Sequence, residues 1–224
     1  MAETLLRIGP RPPVAPQLPL RERAQLERRA KLLAWGGNGW HLVEFGIAVG
    51  AGIAAGSVAL IGFGADSLIE GLSAFVIVWL FSGGRGASEQ AERLAQRLIA
   101  GSYFLLAAYI GIESLRDLVG GHQPQASWVG IALAAFTAPT MPLLARAKRR
   151  VGLALNSSAT VSEAQQNQIC AYLSIALLVG LLANALVGWW WADPGAALVI
   201  GAFAVREGVE SWRGEGCACG DRCC

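Results

Sequence analysis

Two carboxylates stand four residues apart inside an otherwise apolar run, SVALIGFGADSLIEGLSAFVIVWLF. At that spacing Asp66 and Glu70 share one helix face, and Ser73 continues the stripe. At 1.5 Å per residue they lie about 24 and 18 Å from the end of the run at Ser82, deep inside any bilayer it crosses. A charge at the bilayer centre costs about 2.5–3.5 kcal/mol even on a lenient insertion scale. Two stacked carboxylates also repel, and they do not both ionise cheaply unless a cation lies between them. The chemistry this points to is a pair that holds protons or a metal ion and exchanges one for the other. Interhelical hydrogen bonding, worth about 0.6 kcal/mol on average, does not call for two carboxylates on one face.

A second polar stretch, SSATVSEAQQNQICAYLS, opens a later apolar run. Gln166 and Cys170 are again four apart, and Glu163 and Asn167 form a parallel polar line beside them. If the two runs cross the membrane in opposite directions, Glu70 meets the depth of Gln166 and Asp66 that of Cys170. Two carboxylates, an amide oxygen and a thiolate then make one four-coordinate site. That donor set suits zinc or cadmium. The plainer reading keeps Gln166 and Asn167 as interhelical hydrogen-bonding groups and Cys170 as a small hydrophobe. His41 and Glu44, three apart in the first apolar run, are candidates for outer ligands or proton carriers, or for an interhelical hydrogen bond. Glu113, Arg116 and Asp117 close the third run as a local ion network. Asp193-Pro194 reads as an acidic N-cap followed by proline at the start of the last helix. Trp189–Trp191 reads as an interfacial aromatic belt.

The elements that position these residues follow from composition. Of 224 residues, 54% are hydrophobic and 15% charged, with a net charge of +2. An average soluble domain is about 25% charged. Mean hydropathy is +0.46. These values exclude disorder, a secreted disulfide scaffold and an ordinary cytosolic enzyme, and the charge balance gives no reason to expect nucleic acid. A transmembrane helix needs about 20 mainly apolar residues, and six candidates run over 34–55, 57–82, 97–118, 126–146, 154–187 and 189–210. The first two form a tight hairpin across Gly56-Ser57.

Basic residues alternate between the connections. Arg7, Arg11, Arg21, Arg23, Arg28, Arg29 and Lys31 precede the first run. Arg85, Arg93 and Arg97 lie at the second connection, and Arg146, Lys148, Arg149 and Arg150 at the fourth. The connections at 56, 119–125 and 188–192 carry no Lys or Arg. The positive-inside rule therefore places both termini in the cytoplasm. The expected fold is an all-α polytopic membrane protein with six transmembrane helices. Residues 1–33 are a cytoplasmic arm and basic helix, with proline where a signal peptide needs an apolar core. Residues 34–212 form the membrane domain and 213–224 a Cys-rich tail. In that tail Cys217, Cys219, Cys223 and Cys224 are four thiols able to gather Zn²⁺, Cd²⁺ or Cu⁺ in a reducing compartment. Palmitoylation or an inert end are the alternatives.

The stretch SVALIGFGADSLIEGLS resembles the second-span signature of the cation diffusion facilitators, which export divalent metals in exchange for protons. WWWADPGAALVIGAFAVREGVESW is similar to their sixth span, and the likeness covers roughly 35–212. The family's fifth span carries a His and an Asp four apart, where this chain has Gln166 and Cys170. Glutamine carries no proton, so exchange chemistry falls on Asp66, Glu70 or Cys170. The resemblance implies a plasma (inner) membrane transporter rather than an enzyme. Its cargo is a divalent metal, zinc first, with cadmium, cobalt, nickel and iron as the other candidates. The implied partners are protons as counter-ion, the lipid bilayer and a second copy of the chain. Most members add a dimerising cytoplasmic domain, whereas this chain ends about a dozen residues after the last span and is expected to be a short branch. A competing reading is a metal-responsive membrane sensor that uses the tail thiols without flux. An intramembrane enzyme lacks a nucleophile–base pair or an HExxH motif.

Overall fold

The computed structural model describes residues 19–82, 89–155 and 157–213. The arm at 1–18, the connection with Arg85 and the tail with Cys217, Cys219, Cys223 and Cys224 lie outside the described residues. Among the described residues run six α-helices: α1 Leu20–Ala55, α2 Val58–Ser82, α3 Glu89–Gly120, α4 Trp128–Leu155, α5 Ser158–Leu182 and α6 Ala192–Arg213. A π-helical turn, Ala183–Val187, extends α5.

Several helices outrun the apolar segments that nucleate them. The basic stretch 21–33 and the first apolar run are one helix of 36 residues, because nothing between them breaks it. The basic residues Arg146, Lys148, Arg149 and Arg150 occupy the last turns of α4 instead of a loop. Lys, Arg and Ala are strong helix formers, so the chain stays helical until Leu155. Ser157 then caps α5, its hydroxyl accepting the Thr160 N–H at 3.4 Å.

Three segments, Arg97–Gly120, Trp128–Leu155 and Glu163–Val187, are long and apolar enough to cross a membrane by length and composition. Large apolar side chains such as Leu105, Leu115, Leu143, Tyr172 and Val179 point outward from them. A soluble protein does not expose apolar surface on this scale, and lipid is the solvent that suits it. The interior is built by Phe63, Tyr103, Ile110, Leu173, Leu177 and Ile200.

The helices pair most extensively as α1 with α2, α3 with α6 and α4 with α5. Gly56 closes the α1–α2 hairpin in the left-handed region at φ 67°, where a side chain is strained. Below it, a Cβ on Gly64 would come within 3.0 Å of Ala48 Cβ, so the two backbones touch there. That contact sets the register one turn above Glu44 and brings His41 Cβ within 3.7 Å of the place a Cβ would take on Gly71.

Asp193 departs from the sequence expectation. It lies inside the first turn of α6 and does not cap that helix. Its Oδ1 accepts the Ser57 hydroxyl at 2.6 Å, and its Oδ2 accepts the Ala59 N–H at 3.3 Å. The carboxylate therefore caps α2, a neighbour 136 residues away in the chain. The reason is geometric: the α2 N-terminus starts immediately after a glycine turn, and its exposed amides need an acceptor that the local sequence supplies only through Ser57.

Candidate metal centre

Four helices bring polar groups to one buried place. Glu44, on α1, is wholly buried. The Thr137 hydroxyl of α4 donates to its Oε1 at 2.7 Å, and the Ser67 hydroxyl of α2 donates to its Oε2 at 3.0 Å. The Cys170 thiol of α5 approaches the same Oε2 at 4.0 Å. One helical turn earlier on α1, His41 Nδ1 lies 3.5 Å from Glu44 Oε2 and 3.5 Å from Glu70 Oε2. Ligand atoms of His41, Glu44 and Cys170 all fall within 4.8 Å of one another. Neither His41 Nδ1 nor Glu70 Oε2 makes a hydrogen bond, although both are buried. Buried polar atoms that face one another without a hydrogen bond are costly, so their convergence marks a candidate site for a ligand.

The positions explain why these residues meet. Glu44 is 11 residues before the end of α1 and Glu70 is 12 after the start of α2. At 1.5 Å per residue both lie about 17 Å from the hairpin, at the same level of the bundle. Asp66, one turn closer to the hairpin on α2, is buried as well. It lies within electrostatic reach of Glu44 and of Glu207 on α6.

A polar cleft leads from this cluster along α1, α4 and α5, and Gln166, Glu163, Asn167 and Lys148 line it with His41 and Glu70. Lys148 is only 3% exposed, and its Nζ pairs with Glu163 Oε2 at 3.2 Å. A buried ammonium needs such a partner. Asn167 is turned fully inward, with its amide 3.3 Å from His41 Nε2 and 3.4 Å from Met141 Sδ.

The residues singled out in the sequence thus fall into three groups. Glu70 and Cys170 are in the cluster, and so are His41 and Glu44, which the sequence offered only as outer groups. Gln166 and Glu163 face the cleft, and Asp66 sits one turn from Glu70. The buried line of α5 runs through Ala164, Asn167, Cys170, Ala171 and Ser174, so Asn167 takes the inward position and Gln166 its flank. Thr137, Ser67 and Lys148 were not anticipated. The available signal for two of them was the 3.6-residue stripe on α4, which runs Thr137, Met141, Ala145, Lys148, Gly152. Near the C-terminal end of α3, Arg116 pairs with Glu113 at 2.6 Å as expected, whereas Asp117 turns inward with its Oδ2 lacking a hydrogen bond. Trp189 and Trp191 stack at 5.3 Å.

An all-helical fold with apolar outer faces and a buried cluster of carboxylate, imidazole and thiol is that of a membrane protein with a candidate metal site. Residues 41–213 match the model of the cation efflux transmembrane domain. The chain belongs to the cation efflux family. It is 27% identical over 180 residues to a protein of Synechocystis sp. named as an uncharacterized transporter, covering 77% of this chain and 58% of that one. It is 28% identical over 170 residues to the magnetosome protein MamB of Magnetospira sp., covering 71% of this chain and 57% of that one. The chain therefore spans less than two thirds of the length of either relative.

Proposed function

We propose that this chain is a divalent metal transporter of the plasma (inner) membrane that carries zinc, before other divalent metals, out of the cytoplasm in exchange for protons. Its transport domain is 34–212, crossing the membrane six times with both termini inside. Asp66, Glu70, Gln166 and Cys170, between the second and fifth spans, form the transport site, and protons return on the carboxylates. A second copy of the chain is the expected partner.

The observation that carries this reading is the cluster at the centre of the family domain, where buried carboxylates from α1 and α2 meet the buried thiol of α5. Intramembrane ionisable groups are expensive and mark ion pathways. Membership of the cation efflux family favours transport over the sensor reading, which rests on the tail cysteines outside the described residues.

The test is zinc uptake into proteoliposomes. An Asp66→Ala/Glu70→Ala double variant, inserted to the same level as the wild-type chain, is expected to lose flux entirely, because the pathway loses two buried carboxylates. Wild-type flux in the double variant refutes the reading.

A further inference from the structure

We propose that the cation is held by His41 Nδ1, Glu44, Glu70 and Cys170 Sγ, so that the first helix supplies two of its four ligands. This rests on the transport reading and revises its site: Glu70 and Cys170 stay as ligands, His41 and Glu44 take the places given there to Asp66 and Gln166, and the donor set also defines the cargo. One nitrogen, one sulfur and two carboxylates favour borderline and soft divalent cations, zinc, cadmium and cobalt among them, over magnesium, calcium and manganese, which prefer all-oxygen shells.

The distances carry the assignment. In a tetrahedral zinc site with N and O ligands at 2.0–2.1 Å, neighbouring ligand atoms stand about 3.4 Å apart. Both edges from His41 Nδ1 to the two carboxylate oxygens measure 3.5 Å. The edge from Glu44 Oε2 to the larger sulfur is 4.0 Å. Ligand atoms of His41, Glu44 and Cys170 already stand within 4.8 Å of one another, and Glu70, held only against His41 Nδ1, must swing inward to complete the shell. An ion in their midst also satisfies Nδ1 and Glu70 Oε2, which face each other at 3.5 Å without a hydrogen bond although both side chains are more than nine-tenths buried.

The surroundings are those of an oriented site. Ser67 and Thr137 each hold one oxygen of Glu44. Asn167 stands against His41 Nε2. Ligation through Nδ1 puts the ring proton on Nε2, and a half-turn of the Asn167 amide brings its Oδ1, buried and unpartnered as it stands, to accept that proton. Gln166 faces the cleft and Asp66 lies a turn closer to the hairpin, so neither is demanded by this ligand set.

Cobalt is the probe, because a cobalt–thiolate bond absorbs in the near ultraviolet. The full chain carries Cys217, Cys219, Cys223 and Cys224→Ser so that Cys170 is the sole thiol, and its helix content is checked in detergent. Titration with Co²⁺ is expected to give the thiolate charge-transfer band together with the visible bands of four-coordinate cobalt, and zinc is expected to displace both. Cys170→Ser removes the charge-transfer band. His41→Ala weakens apparent affinity by about tenfold to a hundredfold, and by more than Gln166→Ala does. A charge-transfer band that survives Cys170→Ser overturns the ligand set. So does binding that survives His41→Ala but is lost in Gln166→Ala, and so does a folded tail-serine protein that binds no cobalt. Zinc flux by the same tail-serine protein separates the two readings. Flux with the wrong spectral response overturns the ligand set alone, whereas the expected spectra without flux leave the site standing and overturn transport.

Discussion

Glu44→Gln is expected to reduce metal flux about a hundredfold or more while leaving the protein at least as resistant to heat as the parent chain. The two effects have one cause. Glu44 is wholly buried, and its oxygens are held by hydroxyls rather than by a permanent cation. A buried charge without a fixed counter-charge costs stability, and a neutral amide of the same shape keeps most of the hydrogen bonds. The Ser67 and Thr137 hydroxyls both donate and accept, so they rotate to satisfy the amide. What the amide does not supply is the negative charge that attracts a divalent ion. Flux in proteoliposomes and the thermal midpoint in detergent, measured on the same preparation, check both halves. A variant that transports normally would remove Glu44 from the pathway. One that loses both flux and stability would make Glu44 a structural residue.

Asp193→Ala is expected to have the largest effect on stability, about 3 kcal/mol. Its carboxylate receives the Ser57 hydroxyl at 2.6 Å and the Ala59 N–H at 3.3 Å. Loss of an N-cap costs about 0.5–2 kcal/mol, and a hydrogen bond to a charged group about 1.5–3 kcal/mol. The favourable interaction of an anion with the positive end of α2 is lost as well. The bond to Ser57 ties α6 to the α1–α2 hairpin, so unfolding should become less cooperative too. Asp193→Asn, which keeps one acceptor, should fall between alanine and the native residue. Denaturation in mixed micelles followed by helix content checks the series. No loss in Asp193→Ala would mean that Ser57 alone holds the start of α2 through its bond to the Leu60 N–H.

Both expectations concern residues whose significance was only partly legible in the sequence. Asp66 and Glu70 stood out because a charge in an apolar run has few explanations. Cys170 stood out through its spacing from Gln166. Such reasoning fixes the depth and approximate face of a residue, because rise and turn per residue are constant. It leaves open how each helix is rotated about its axis and which helices are neighbours. Asn167 and Gln166 are one residue apart, about 100° around α5, and that rotation decides which of them meets His41. Glu44 seemed peripheral because spacing along α1 does not reveal that α1 packs against α2 and α4 with Asn167 and Cys170 of α5 reaching the same level. Lys148 was read with the basic residues that orient the chain in the membrane, and its place on the buried stripe of α4 gives it a second role in the pair with Glu163. The six helical runs were readable because each is a long apolar stretch ended by glycine, proline or polar residues. The π-helical turn at 183–187 was not, since its wider winding depends on tertiary contacts such as the Asn184 amide donating to the Pro124 carbonyl at 2.8 Å.

The most direct test of the central claim is zinc uptake by the wild-type chain purified into proteoliposomes, with a pH dye enclosed and cadmium, cobalt, nickel and iron(II) run in parallel. A divalent metal that enters as protons leave, zinc fastest, is the result expected of a metal–proton exchanger built around the buried cluster. Intact, inserted protein that moves none of these ions under either a metal or a proton gradient would contradict it.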